Sequence, residues 1–598
     1  MIVPILLFVQ VFLLPGLVVY FNREKEMVRL ITKIIVSSIS ISIFSFSTVL
    51  LLRNMIDSNL LIFGLIFSII ISLLLRYLIR KDKEKISSKN IKFSLWFFLL
   101  FVICFTVNIA LFFHHKSIVG ADIGRFGIIS HALFLKGKFE TDLTPYDMAK
   151  DFFYFPGTIL LSPLFEIVGI NPIAFLSFLT FFFSSLYGLP VYLITKKLFN
   201  DDIAISSFLF SSFLFNPVIN IGFFGVFPYA IAIFFLLSFI YFFLENEKDS
   251  LILYSCLIDV VCFHAYLLIL LFPFLIAAVI LKWSLFSFLF EKKFWKFSPI
   301  FLLFLFPYFL KTHGGLFIPF EWEKKLDIFM FSTFNRNLSL EKVIQYILFS
   351  SPVGFNFSIF LVVGLILFIF SMIRYHKNFK FGTQFLTLSF LLSFVMLFVL
   401  FNDMNFARSI WINWFFYSIG FGLIFSDKIL NLFILFLIAL TTLSPSVFSY
   451  FNLYPTYNQG QIPWIVWNSF YDAINFIKHN TQLNSTFLID GGGAGCTGAS
   501  ASYGERIFPL TSRKIFYFSD YCWANYDKEE YRKRVELYRK ISINPNNLEI
   551  INMLKQKYGI THIFIGPTDV GLNKNLFNNS TFYKLIYENK DFRIFKIL

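Results

Sequence analysis

Apolar windows of membrane-spanning length recur along the first 447 residues and constrain this chain more than any other feature. They lie at roughly 1–21, 27–52, 59–79, 93–114, 173–195, 203–221, 227–244, 250–281, 297–311, 355–374, 382–401, 410–426 and 428–447. A helix needs about 20 apolar residues to cross a bilayer, and only helices or closed barrels satisfy their backbone groups there. The composition agrees: 57% of residues are hydrophobic and 15% charged, with a mean hydropathy of +0.72. Soluble domains are about half apolar and about one quarter charged, so a soluble globular fold is excluded. The expected architecture is a multi-pass α-helical membrane protein of about 12–15 transmembrane helices over 1–447, followed by a smaller α/β domain over 448–598.

The formal net charge is +15. In a soluble chain that would raise nucleic acid as a partner, but the basic residues cluster between apolar windows. Arg76, Arg80, Lys81, Lys83, Lys85, Lys89 and Lys92 form the densest group. This is the pattern of topology determinants beside anionic lipid headgroups, and nucleic acid is rejected. Placing the loops at 22–29, 76–92, 196–202, 245–249, 282–296 and 374–380 in the cytoplasm puts the N-terminus, the 115–155 loop and residues 448–598 outside. That alternation holds only if 156–170 does not cross. Its Pro156, Pro163 and Glu166 suit an interfacial or re-entrant segment. The 250–281 run is too long for one upright span and is read as two short helices hinged near Cys262–Tyr266. The segment 1–21 lacks a basic leader and reads as a retained first helix.

Beyond Tyr450 the character changes. Thr486–Asp490 and Thr561–Gly566 read as strands, and Pro545–Tyr558 as a helix with Asn544 or Asn546 near its cap. Phe582–Tyr587 and Phe592–Ile597 flank a turn and read as a hairpin. Cys104, Cys256 and Cys262 lie in apolar runs and read as inert core residues. Cys496 and Cys522 are placed to pair if their domain faces an oxidising exterior. No CxxC or His/Cys cluster suggests zinc.

The polar interruption at 115–155 is the first place to look for chemistry. Asp122, Arg125 and His131 fall within ten residues of one another at a membrane boundary, where charged groups are costly. Asp122 suits a base for an acceptor hydroxyl or a ligand for a divalent cation, Mg or Mn. A helix would set Asp122 and His131 on opposite faces, so only a turn at Gly124–Gly127 would pair them. Arg408, in Asn402–Arg408, suits a phosphate through bidentate hydrogen bonds. His264 at its hinge, and Lys311 and His313 beside Gly314–Gly315, are lesser candidates. Asp490–Gly495 tempts a phosphate-loop reading but lacks GxGxxG spacing and reads better as a loop docking on the membrane domain. Arg506 and Arg513 are further cations that a carrier phosphate would suit. Each candidate has a plainer alternative: an Asp–Arg pair, a snorkelling arginine or a structural histidine.

An acidic loop after an early helix, then His131-Ala132 and Gly137, then Tyr154-Phe155-Pro156-Gly157 opening an apolar run, resembles the polytopic GT-C glycosyltransferases. The stretches Leu554–Gly566 and Leu585–Lys596 look like the end of archaeal members. These enzymes take sugars from polyprenyl-phosphate carriers and include oligosaccharyltransferases and protein mannosyltransferases. The sequence departs in having Asp122 alone, unless Asp142 or Asp147 serves as its second acid. It also lacks a Trp-Trp-Asp-Tyr-Gly motif, for which Tyr521–Asp527 is no substitute. The resemblance implies transfer of a sugar from a polyprenyl-phosphate donor at the outer membrane face. Asp122 and His131 would be catalytic, and Arg125, Arg408 and His264 substrate-binding. The competing readings are a transporter or flippase of a lipid-linked or polar solute, and a non-catalytic envelope protein. No internal repeat of the transporter kind is evident.

Overall fold

The computed structural model describes residues 2–21, 24, 26–80, 95–115, 121–140, 142–146, 149–152, 156–212, 227–246, 250–290, 295, 298–299, 355–400, 412–426, 467–490, 503–516, 524–566, 572–578 and 580–598. The expectations for 297–311, Lys311, His313, 428–447, Gly491–Gly495, Cys496 and Cys522 fall almost wholly outside them.

The N-terminal part is a helical bundle: α1 (Ile2–Phe12), α2 (Leu14–Tyr20), α3 (Met27–Arg53), α4 (Ser58–Arg80), α5 (Leu95–His115), α6 (Ala121–Lys136), α7 (Pro156–Ile167), α8 (Pro172–Leu186), α9 (Gly188–Leu198), α10 (Asp201–Ser212), α11 (Phe227–Leu244), α12 (Ser250–His264), α13 (Phe272–Leu281), α14 (Phe355–Tyr375), α15 (Lys380–Leu400) and α16 (Asn413–Ile424). Met27–Arg53, Ser58–Ile79 and Pro172–Leu198 are each long and apolar enough to cross a membrane. With the shorter apolar helices around them, they make this a multi-pass membrane protein. The 250–281 run breaks where expected: α12 stops at His264, a 3-10 segment runs Ala265–Leu271, and α13 follows. Helix α7 is 12 residues long, about 18 Å, and does not span a hydrocarbon core of about 30 Å. Its residues from Gly157 to Glu166 are all buried.

Close packing is built from small residues. Helices α1 and α2 form one bent pair, kinked by 41° just before Pro15, which has no N–H to give the carbonyl of Val11. The Ser42 hydroxyl of α3 supplies that bond at 2.8 Å. The freed Gly16 N–H donates to Ser38 Oγ at 2.8 Å. The serines of α3 thus satisfy backbone groups that the kink releases, as buried polar groups require.

Several basic loops gather at one end of the bundle. Lys33 and Arg29 pair with Glu24 at 3.0 and 3.1 Å, and Lys197 with Glu245 at 2.6 Å. Lys196 pairs with Glu26 at 2.9 Å, and Phe199 packs edge-on against Phe379. The loops at 22–29, 196–202, 245–249 and 374–380 therefore share one end.

The C-terminal domain has an amphipathic helix α17 (Trp467–Asn480), whose Phe470, Ala473, Ile474 and Ile477 are buried. It also has a five-stranded sheet ordered β3-β2-β5-β7-β6, formed by β2 (Thr486–Ile489), β3 (Lys514–Phe516), β5 (His562–Ile565), β6 (Tyr583–Glu588) and β7 (Arg593–Ile597). β2 runs parallel to β3 and β5, and β6–β7 is the expected hairpin. Helices α18 (Ile507–Thr511), α19 (Lys528–Ile543), α20 (Leu548–Asn552) and α21 (Lys574–Asn578) complete it. The cap of α20 is Asn547, accepting from Glu549 N and Ile550 N, rather than Asn544 or Asn546. The side chain nearest the first free N–H groups wins.

His562 gives a pH prediction. It is buried in β5, stacked on Phe487 at 4.9 Å. Burial first, and then the Lys596 charge, push it from 6.5 down to about 4. Between those values the unfolded chain binds the proton that the fold refuses, so stability is complete above the upper value and is lost as pH falls towards the lower. The expected loss is roughly 2 kcal/mol after allowance for solvent screening. Thermal denaturation of the detergent-solubilised chain from about pH 7.5 to about pH 4.5 should show it, and His562→Phe should flatten the profile.

Candidate functional site

The described residues of the 115–155 segment are not one loop. They include α6 and a short strand, β1 (Ala149–Phe152). The glycines at 124 and 127 sit inside the helix, where packing needs them. A Cβ at Gly124 would meet Glu505 Oε2 at 2.7 Å, and one at Gly127 would meet Ile173 Cδ1 at 2.5 Å and Pro509 Cγ at 3.3 Å. The turn at Gly124–Gly127 that would have brought Asp122 to His131 is therefore absent. Nine helical residues separate the two, about 13.5 Å along the axis and on opposite faces.

Both ends of this segment lock onto the C-terminal domain. Near its start, α6 packs against the 3-10 turn Tyr503–Arg506 and α18. Past its end, β1 pairs antiparallel with β4 (Ala524–Tyr526), matching Ala149 to Tyr526, Asp151 to Asn525 and Phe152 to Ala524. Asp122 occupies the first turn of α6. Arg125, one turn on, is 3% exposed, and Glu505 and Arg506 opposite are fully buried. Three charged side chains are thus withdrawn from water where α6 meets the 503–511 segment, and charge buried in this way needs partners.

His131 lies near the other end of α6. Its Nδ1 is 2.7 Å from Glu166 Oε2, on α7. Its Nε2 is 3.0 Å from the hydroxyl of Ser512, in the C-terminal domain. Ser130 donates to Glu166 Oε1 at 2.5 Å and lies 2.8 Å from Ser162 Oγ. Phe508 meets the His131 ring edge-on at 4.9 Å and stacks on Tyr146 at 5.4 Å.

The other sequence candidates separate. His264 caps the 3-10 segment and packs edge-on against Tyr229 at 5.3 Å. It sits near the start of α7, since a Cβ at Gly157 would meet Cys262 O at 3.0 Å. Asp142 Oδ1 accepts from Thr144 N and Oγ1 at 2.7 and 2.6 Å, closing a local turn. The Arg513 guanidinium donates to the carbonyls of Thr511, Lys478 and Thr481 at 2.6, 2.8 and 2.8 Å. It neutralises the carbonyl end of α17. Arg408 and Asp147 lie outside the described residues, as does the side chain of Asp122. Among the described residues no group of three or more His, Cys, Asp or Glu side chains converges on a metal position.

Sequence reasoning missed Asp259. It is fully buried in α12, with Ser40 Oγ of α3 at 2.9 Å from its Oδ1. The signal was available: one acid in the apolar run 250–281.

No protein-family model and no curated protein matches the chain. Solved structures do. ArnT from Cupriavidus metallidurans bound to undecaprenyl phosphate aligns with a TM-score of 0.51 at 11% identity, over 84% of this chain and 98% of that one. The apo oligosaccharyltransferase of Archaeoglobus fulgidus gives 0.45 at 12% identity, covering 79% and 70%. Archaeal AglB from the same organism, in complex with an inhibitory peptide and a dolichol-phosphate, gives 0.41 at 14%, covering 79% and 69%. The likeness to ArnT is one of fold.

Proposed function

We propose that this chain, which has the fold of ArnT, is a membrane glycosyltransferase. It moves a sugar from a polyprenyl-phosphate-linked donor to an acceptor on the outer face of the membrane. The observation that carries this reading is the docking of α6 on the C-terminal domain, which holds the Asp122 turn beside buried Arg125, Glu505 and Arg506. A phosphate leaving group departs without a strong acid, so the protein must deprotonate the acceptor and stabilise charge on the phosphate. Asp122 is the base or a metal ligand in this scheme, and Arg125 and Arg408 are the phosphate cations. A Mg or Mn ion at Asp122 would need several more oxygen ligands. His131 moves from catalysis to support, because Glu166 and Ser512 occupy both of its ring nitrogens.

Sidedness follows from charge. The shared basic end of the bundle belongs in the cytoplasm by the positive-inside rule. Ser250 of α12 follows Glu245 at that end, and Cys262 near the far end of α12 adjoins Gly157 of α7. The α6–β1 segment and the C-terminal domain then lie outside.

Asp259 favours a second reading, transport of a polar solute, since intramembrane acids often mark a path. One assay separates the two. Membranes holding the wild-type chain, given radiolabelled polyprenyl-phosphate sugar, should release polyprenyl phosphate and label an acceptor. Movement of intact donor between leaflets without cleavage would replace the enzyme by the transporter.

A further inference from the structure

Glu166, His131 and Ser512 stand in the order carboxylate, imidazole, hydroxyl, at 2.7 and 3.0 Å. That order activates nucleophiles in many enzymes. Here the backbone points elsewhere. An oxyanion formed at Ser512 would look to the N–H groups of residues 512 and 513. Both are engaged, Ser512 N with Phe508 O at 2.8 Å and Arg513 N with Thr511 Oγ1 at 3.2 Å.

The proton order makes the chain a relay of position. The Glu166 carboxylate accepts from Ser130 Oγ and from His131 Nδ1–H. In the neutral imidazole that leaves Nε2 as the acceptor for the Ser512 hydroxyl. Ser162 in turn donates to Ser130. The membrane-domain members are nearly closed off, His131 and Glu166 each being 7% exposed. Ser512 is held at φ 61°, a left-handed conformation in which glycine or asparagine would be easier. A hydroxyl kept at that position has work that glycine would not do.

We propose that Glu166–His131–Ser512 is a positioning relay that sets the rotation and height of α6 against the C-terminal domain. The Asp122 turn at the other end of the helix is placed by the same contact. The second half of this statement rests on the function proposed above; the first does not. Three anchors then hold the segment: Gly124 on Glu505, the relay, and the β1–β4 ladder. The relay is the one of the three made by side-chain hydrogen bonds across the domain boundary.

Substitutions at Ser512 separate the hydroxyl from the backbone. Ser512→Gly eases the left-handed conformation and removes the hydrogen bond. Ser512→Asn tolerates that conformation and offers an amide N–H to His131 Nε2. In the purified full-length chain, hydrogen exchange at 149–152 and 524–526 should quicken about tenfold in Ser512→Gly, the scale of one lost hydrogen bond in a partly buried site. In the transfer assay kcat should fall about tenfold with the donor KM unchanged, as expected when an interaction is lost only in the transition state. Ser512→Asn should bring both back towards wild type. Exchange in Ser512→Gly equal to wild type makes Ser512 a helix-end residue only and overturns the relay. Covalent labelling of Ser512 by a fluorophosphonate overturns it in favour of a nucleophile. If the wild-type chain transfers no sugar, the functional proposal fails by itself, and the exchange result still decides the relay.

Discussion

Asp122→Asn should reduce transfer from a polyprenyl-phosphate sugar at least about a hundredfold, because positioned acid–base groups contribute about 10²–10⁴ to rate. The substitution keeps the shape of the side chain and removes its capacity to take a proton or hold a cation. Asp122 occupies the first turn of α6, where a carboxylate favours the helix by its position near the positive end of the dipole. Loss of that effect is small, a few tenths to about 1 kcal/mol, so the variant should fold. The loss should therefore appear in kcat, with detergent-extracted yield and melting temperature close to wild type. A variant within about threefold of wild type would remove Asp122 from the chemistry and leave it a helix-start residue.

The largest stability effect should come from Gly16. A Cβ there would lie 2.1 Å from the carbonyl oxygen of Ile34 and 2.7 Å from its carbonyl carbon and Cα. These are backbone atoms of a 27-residue helix and cannot rotate aside. Gly16→Ala must push α2 from α3 and stretch the Gly16 N to Ser38 Oγ bond, with the Ser42 to Val11 bond beside it. Overpacking costs about 1–3 kcal/mol and a broken buried hydrogen bond about 1–3 more, so a loss of about 3 kcal/mol or greater is expected. Ser42→Ala, which empties one bond without a clash, should cost about 1–2 kcal/mol. The measurement is thermal denaturation in detergent. A Gly16→Ala protein as stable as wild type would contradict the close approach of α2 and α3.

How far the sequence could be read depended on whether the governing contacts are local. The break in 250–281 was legible because His264 interrupts an apolar run too long for one span. The β6–β7 hairpin was legible from alternation on either side of Asn589–Asp591. Helix α6 was not: Gly120, Gly124, Gly127 and Gly137 together look like a loop, and the reason two of them are tolerated is Glu505 and Ile173, far away in the chain. The β1–β4 ladder joins a four-residue strand to a three-residue strand some 370 residues apart, by numbering. Neither carries a periodicity long enough to detect.

The candidate site divides in the same way. Asp122 and Arg125 stood out as charges at a membrane boundary. The partners of His131 did not, since Glu166 read as support for a non-crossing segment and Ser512, 381 positions further along the chain, carries no local signal of the contact. Arg513 misled because a cation in a polar stretch looks available, whereas the end of α17 offers it the carbonyls of Lys478 and Thr481 and α18 that of Thr511. Asp259 was overlooked because a single acid counts for little in an average over an apolar run.

The proposed function puts the lipid-linked phosphate at the junction of α6 with the 503–506 turn. An electron cryomicroscopy map of the full chain with bound polyprenyl phosphate tests it most directly. The phosphate should sit at that junction, within about 10 Å of Asp122, close enough for an acceptor oxygen to bridge the two. Phosphate density at the basic end of the bundle, among Lys33, Lys196 and Lys197, would contradict the claim.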